Sequence, residues 1–229
     1  MELSEILSKV DHTVLSQTAK WEDVRQAVDD AIEYGAASVC IAPCYVEKAA
    51  KYADGKVKIC TVIGFPNGYS TEKTKCFETS DAVKNGADEI DMVVNLTDVK
   101  NRSFEKILEE INEVKKCCDG RILKVIVETC FLNEDEKIKM CKIVSASDAD
   151  YIKTSTGFGS GGATKEDVAL FAKNISNGKL IKAAGGISDL KDAEDFILLG
   201  ASRLGTSRII KQLKQGGNAK NEKLSDSSY

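Results

Sequence analysis

Three lysines, Lys124, Lys153 and Lys182, fall at an even interval inside short apolar runs, LKVIVET, YIKTSTG and LIKAAGG. Asp91 holds a similar place about one repeat earlier, in EIDMVVN. A lone lysine in a strand ordinarily snorkels to water or sits on an edge. Three in register resist that explanation, because lysines are rarely buried unless paired. Interior carboxylates such as Asp91 and Glu128 could pair with them as a purely structural network. The chemical alternative is a Schiff-base centre. An amine attacks a carbonyl only when neutral, and a free lysine titrates at about 10.4, so neutrality near pH 7 means disfavouring the ammonium by about 4 kcal/mol. Burial and a second ammonium both act in that direction. Neighbouring lysines are therefore a way to build an amine nucleophile, and an interior carboxylate such as Asp91 can move the protons that carbanion chemistry needs. No metal and no pyridoxal are required. The residues alone do not rank Lys124 against Lys153 as the nucleophile.

Glycine clusters follow the same runs. TSTGFGSGGAT at 154–164 comes after Lys153, AAGGIS at 183–188 spans the end of the Lys182 run, and GTS stands at 205–207. Any one glycine pair reads as a simple turn. Together they offer backbone N–H groups at close range, ahead of helix starts that favour an anion. That combination points to a bound phosphate.

The elements that must position these groups alternate along the chain. Strand-like runs occupy 9–14, 38–42, 57–65, 89–95, 123–129, 151–156, 180–184 and 203–206. Helical spacing lies between them: Phe104, Ile107, Leu108, Ile111 and Val114 share one face, as do Val24, Ala27, Val28, Ala31 and Ile32. Thr164 with Asp167, and Asn133 with Glu136, resemble helix starts. Gly35, Gly86, Gly178 and Gly200 fall near helix ends. Eight strand–helix units call for parallel neighbours joined by crossovers. In about 215 residues they match a single (β/α)8 TIM barrel rather than an open doubly wound sheet, which more usually has five or six strands. Strand alternation then sends Asp91, Lys124, Ile126, Glu128, Lys153 and Lys182 to the barrel interior, and Ile90, Met92, Val125, Val127, Ile152 and Ile181 to the helices. Residues 1–215 form the expected barrel domain. The polar stretch from 216 to 229 reads as a flexible tail.

Bulk properties exclude other classes. The chain has 229 residues, 42% hydrophobic and 30% charged, an ordinary globular balance with material for a core. A net charge of −4 without a basic run argues against nucleic acid. No apolar run approaches the roughly 20 residues of a membrane helix, and the amino terminus carries no apolar signal core. Eight cysteines and a single histidine, His12, form no CxxC pair and no zinc spacing. The cysteines read as free thiols in a reducing, cytoplasmic setting.

DHTVL at 11–15, VCIAP at 39–43, GFPNG at 64–68, GADEIDMVVN at 86–95, LKVIVET at 123–129, IKTSTGFGSGGAT at 152–164, IKAAGGI at 181–187 and GASRLGTS at 200–207 resemble the deoxyribose-phosphate aldolase family in order and spacing. The resemblance covers nearly the whole chain up to the tail, and IKTSTGFGSGGAT is its most specific part. It implies a cofactor-free lyase that reversibly cleaves 2-deoxy-D-ribose 5-phosphate to D-glyceraldehyde 3-phosphate and acetaldehyde. It assigns the Schiff base to Lys153, makes Lys182 the residue that lowers the nucleophile's pKa, and has Asp91 shuttle protons with Lys182 and a water. The 5-phosphate would be held by Gly157, Gly185, Gly186, Gly205, Thr206 and Ser207. Cys40, Lys124 and Thr156 would serve the substrate pocket, with Asp11 and Thr13 supporting the network from the first strand. His12 reads as structural, and Phe158, uncharged, cannot be a phosphate ligand. Some relatives end in a tyrosine that folds over the site, and this chain ends SDSSY, which makes Tyr229 a candidate participant. A homo-oligomer, dimer or larger, is expected. The competing expectations are another phosphosugar Schiff-base aldolase or transaldolase, and a non-catalytic phosphosugar-binding barrel.

Overall fold

In a computed structural model, described here over residues 1–216, eight parallel strands close into a barrel in the order β1 to β8. The strands are β1 (Val10–Val14), β2 (Ser38–Ile41), β3 (Lys58–Ile63), β4 (Glu89–Val93), β5 (Ile122–Ile126), β6 (Tyr151–Lys153), β7 (Leu180–Ala184) and β8 (Arg203–Thr206). β1 pairs with both β2 and β8, so no edge remains open. The crossovers are α2 (Trp21–Glu33), α3 (Val46–Ala53), α4 (Glu72–Lys84), α6 (Phe104–Cys117), α7 (Glu134–Ala146), α8 (Lys165–Asn174) and α9 (Leu190–Leu198). A short α1 (Leu3–Leu7) precedes the barrel and α5 (Leu96–Lys100) follows β4. Residues 209–216 are helical, which takes in Gly216, the first residue of the expected tail; the rest of that tail, with Tyr229, lies outside the described residues.

The helix faces are those the spacing predicts. Ile107, Ile111 and Val114 of α6, and Val24, Ala27, Val28 and Ala31 of α2, are buried against the strands, while Ile32 is exposed. Burying such a side chain contributes about 1.5–3 kcal/mol each. Asn133 accepts from the Glu136 N–H, and Glu136 accepts from the Asn133 N–H, a reciprocal cap that starts α7. Thr164 caps α8 by accepting from the Asp167 N–H.

Five of the expected strands, β2 to β6, end early, β5 and β6 by the most. β5 stops at Ile126 and β6 at Lys153, short of 129 and 156. The chain beyond remains pinned to its neighbours: the Val127 N–H donates to the Lys153 carbonyl, and the Thr154 N–H to the Lys182 carbonyl. After β5 the extended backbone is broken at Glu128, whose φ of 54° is left-handed.

The barrel interior is divided. Cys40, Cys60 and Val62 form a small apolar wall on β2 and β3, with Leu15 and Phe65 against it. β1 and β4 to β8 fill the rest with charge: Asp11, Glu89, Asp91, Lys124, Lys153, Lys182 and Arg203 are all buried. The register places Asp91 beside Lys124, Lys153 beside Lys182, and Lys182 beside Arg203.

Candidate active site

Asp91, in the middle of β4, is the hub of the interior charges. Its Oδ2 lies 2.6 Å from Lys153 Nζ and 2.6 Å from Lys182 Nζ. Its Oδ1 accepts from Lys124 Nζ at 2.9 Å and from the Cys60 thiol at 3.3 Å. Lys182 also donates to Asp11 Oδ2. Deeper in the barrel, Lys124 reaches Glu89 at 2.6 Å, and Arg203 bridges Asp11 at 2.7 Å and Glu89 at 2.9 Å. Ser38 Oγ donates to Asp11 Oδ1 at 2.7 Å.

Burial by itself would raise the Asp91 carboxyl, but Lys124, Lys153 and Lys182 outweigh it and hold the group well below the usual carboxylate range. Asp11 is lowered in the same way, burial opposing and Lys182, Lys124 and Arg203 prevailing. Burial pushes Lys182 and Lys124 down, yet the carboxylates around them carry both above the ordinary lysine value. Lys182 is therefore a fixed ammonium, joined to Lys153 through one carboxylate oxygen.

Lys153 differs from its neighbours in access. It is the last residue of β6 and lines a cavity of about 270 Å³ at the carboxyl end of the barrel. Lys124, Lys182 and Asp91 are fully enclosed beneath it and are not on the cavity wall. Thr156, Gly157, Gly185, Gly186, Gly205, Thr206 and Ser207 all line this cavity with Lys153, as does Thr13. Cys40 and Asp11 do not: both are fully buried below it, Cys40 in the apolar wall and Asp11 in the ion network. The structure thus separates the proposed site residues into a wall and an underlying layer.

The far end of the cavity suits an anion. Gly185 and Gly186 both have left-handed backbones, at φ of 82° and 79°, a geometry that glycine adopts freely. At Gly205 the reason for glycine is room: a Cβ there would lie 2.9 Å from Ala184 Cβ and 3.3 Å from Lys182 Cε. Ser207 and Arg208 stand at the start of the 209–216 helix, where the positive end of the helix dipole adds to the arginine charge.

Sequence reasoning missed Arg208 on this wall, and Glu89 and Arg203 within the network. Alternation from Asp91 would have sent Glu89 inward, so that signal existed. The Glu128 carboxylate forms no ion pair with the lysines among the described residues and accepts from Thr156 instead. His12 faces α2, with Nε2 3.9 Å from Asp30 Oδ2, outside the ion network.

Cys40, Cys60 and Asp91 bring donor atoms within 4.8 Å of one another, as do Asp11, Cys60 and Glu89. Each set lies among lysine and arginine charges already bonded to its carboxylates, surroundings that repel a metal cation.

Residues 6–200 match the model of the DeoC/LacD family aldolases. The chain is 58% identical over 229 residues, the full length of both, to a deoxyribose-phosphate aldolase of Streptococcus agalactiae serotype Ia. It is 61% identical over 214 residues to one from Streptococcus pyogenes serotype M4, covering 93% of this chain and 96% of that one. Among solved structures it superposes on QR15, an aldolase, with a TM-score of 0.87 at 37% identity, over 92% of this chain and 96% of that one. The tetrameric deoxyribose phosphate aldolase from Aeropyrum pernix gives 0.86 at 30% identity, over 93% of this chain and 92% of that one.

Proposed function

Because this chain belongs to the DeoC/LacD aldolase family, we propose that it reversibly cleaves 2-deoxy-D-ribose 5-phosphate to D-glyceraldehyde 3-phosphate and acetaldehyde through a Schiff base on Lys153. The observation that carries the assignment is that Lys153 lines the cavity while Asp91, itself held by Lys182, binds its amine from below.

In this reading neutral Lys153 adds to the C1 aldehyde of the open-chain sugar, and loss of water leaves an iminium. Loss of the C3 hydroxyl proton then breaks the C2–C3 bond. The electron pair goes to the iminium, giving an enamine and releasing the C3 aldehyde. Protonation of the enamine at C2 and hydrolysis free acetaldehyde and the amine. Asp91 moves these protons through a water, and Lys182 keeps a positive charge beside the reacting nitrogen. The glycines at 157, 185, 186 and 205, with Thr206, Ser207 and Arg208, hold the phosphate. Lys124, Asp11 and Cys40 act from beneath, shaping and charging the floor. The catalytic unit is residues 1–215, a homo-oligomer in the cytoplasm, with Tyr229 as a further participant beyond it. An oligomer is supported by the tetrameric relative from Aeropyrum pernix.

Borohydride reduction in the presence of acetaldehyde, followed by peptide mapping, tests the nucleophile. The expected product is an ethyl adduct on Lys153, absent from Lys153→Ala. An adduct on Lys124 or Lys182 would overturn the assignment, and none at all would favour a binding protein.

A further inference from the structure

We infer that Glu128 is a positioning residue for the acceptor half of the substrate: acting through Thr156, it presents the cavity with a hydrogen-bond acceptor that selects aldehydes carrying a hydroxyl. The inference rests on the aldolase reading of the site.

Glu128 is 2% exposed and its φ is 54°. A glutamate holds such a conformation only where its surroundings impose it. Its carboxylate bonds to the segment that follows Lys153. Both carboxylate oxygens accept from the Thr156 N–H, at 3.2 and 3.3 Å, and Oε2 also accepts from the Thr156 hydroxyl. Among the described residues no lysine or arginine forms an ion pair with it, although three lysines lie in the same barrel. Gly159 closes the arrangement from above: a Cβ there would stand 3.2 Å from Glu128 Cδ and 2.9 Å from Cys130 Sγ. The glycine-rich segment therefore rests directly on this carboxylate.

The consequence follows from counting hydrogen-bond capacity. A threonine hydroxyl has one proton to give and two lone pairs. The proton goes to Glu128, and one lone pair accepts from the Phe158 N–H at 3.0 Å. One lone pair remains on a residue that lines the cavity with Lys153. Toward the substrate, Thr156 can only accept. A hydroxylated acceptor aldehyde satisfies that lone pair, whereas one with hydrogen or alkyl at the same carbon leaves it unpaired in a confined site.

Two reactions separate this role from general damage. Exchange of the acetaldehyde methyl protons for deuterium, followed by NMR, needs the Lys153 centre but no acceptor. Addition of acetaldehyde to glyceraldehyde or to propanal compares acceptors with and without the hydroxyl. In Glu128→Gln, exchange should stay within about twofold of the parent, while the preference for glyceraldehyde should fall by at least about tenfold. Glu128→Asp, which keeps the charge but withdraws the carboxylate, should show the same split and serves if the glutamine variant does not fold. In a Thr156→Val background, Glu128→Gln should add little, because both changes remove one interaction. An unchanged acceptor preference, an equal loss in exchange and addition, or full additivity with Thr156→Val would each overturn the proposal. Failure of the parent protein to exchange acetaldehyde protons would instead overturn the aldolase reading beneath it.

Discussion

Lys153 and Lys182 share one oxygen: the Nζ of each lies 2.6 Å from Asp91 Oδ2. Two amines on one carboxylate oxygen make Asp91 both an anchor and a relay. When Lys153 becomes an iminium, Asp91 is still held by Lys182 and Lys124, so it stays beside the reacting nitrogen. Lys182, whose charge is locked by Asp11 and Asp91, is unsuited to attack a carbonyl itself.

Replacing Asp91 should therefore damage chemistry and folding together. Asp91→Asn cannot carry the proton, and turnover should fall by about 10²–10⁴-fold. It also leaves Lys124 and Lys182 short of an anion in a buried site, where breaking a pair costs about 3–5 kcal/mol. Steady-state kinetics and urea denaturation at pH 7 check both. Turnover within tenfold of the parent would place the proton carrier elsewhere.

Two glycines on the cavity wall should fail in different ways. Gly205→Ala would press its Cβ against Ala184 and the Lys182 side chain. Displacing a positioned group by about 1 Å can lower catalysis about 10²-fold, so kcat/KM should fall markedly. Gly186→Ala has open space around the new Cβ but a φ of 79°, and should destabilise by about 1–2 kcal/mol with a smaller kinetic effect. Kinetics and thermal melting on both variants test the contrast. Equal kinetic losses would show that crowding at Lys182 is not what Gly205 prevents.

Much of this arrangement was legible in the sequence because strands alternate. Lysines inside LKVIVET, YIKTSTG and LIKAAGG had to face either the helices or the axis, and their apolar neighbours claimed the helices. Glu89 follows from the same rule. Glu128 does not, because alternation assumes extended backbone and this residue turns left-handed. Depth was equally hidden. Nothing in the spacing distinguishes Lys153, at a strand end and on the cavity, from Lys124, enclosed by Glu89 and Asp91. Lys75 of α4 was invisible for another reason: a lysine on a helix normally faces water, and this one is fully buried with its side chain against Gly64.

His12 should govern the acid side of the stability profile. Burial pushes its pKa down to about 4, against the pull of Asp30. The unfolded chain takes up this proton near pH 6.5, so the native state loses stability as pH falls from about 6.5 to about 4, by about 3 kcal/mol in all. Asp11 and Asp91, whose pKa values are depressed, contribute in full above about 5 and begin to lose that stability below it. Lys124 and Lys182, whose values are raised, contribute in full below about 10. The lysines add no slope within that window, and the carboxylates add it only below about pH 5, in parent and variant alike. Urea denaturation of His12→Leu and the parent from pH 7.5 to 4.5 should give a difference that grows as pH falls. Parallel curves would mean that His12 is protonated in the native state.

The buried pair outside the active site should prove dispensable. Lys75 of α4 donates to Glu110 of α6 at 2.8 Å and to the Val93 carbonyl at 2.8 Å. Burial lowers the Lys75 pKa and raises that of Glu110, each overcoming the attraction of the other. Both shifts disfavour the charged forms, and Glu110 Oε2 has no hydrogen-bond partner among the described residues. Attraction in such a pair does not repay the desolvation of two ions. Lys75→Met alone should destabilise by about 3–5 kcal/mol, because it leaves Glu110 buried and unpaired. Lys75→Met with Glu110→Leu removes both groups and should match the parent or exceed it by about 1–4 kcal/mol. Kinetics should be unchanged in the double variant, since neither side chain lines the cavity. Denaturation of the two singles and the double closes the cycle. A double variant as unstable as Lys75→Met would show that the ion pair is a net source of stability.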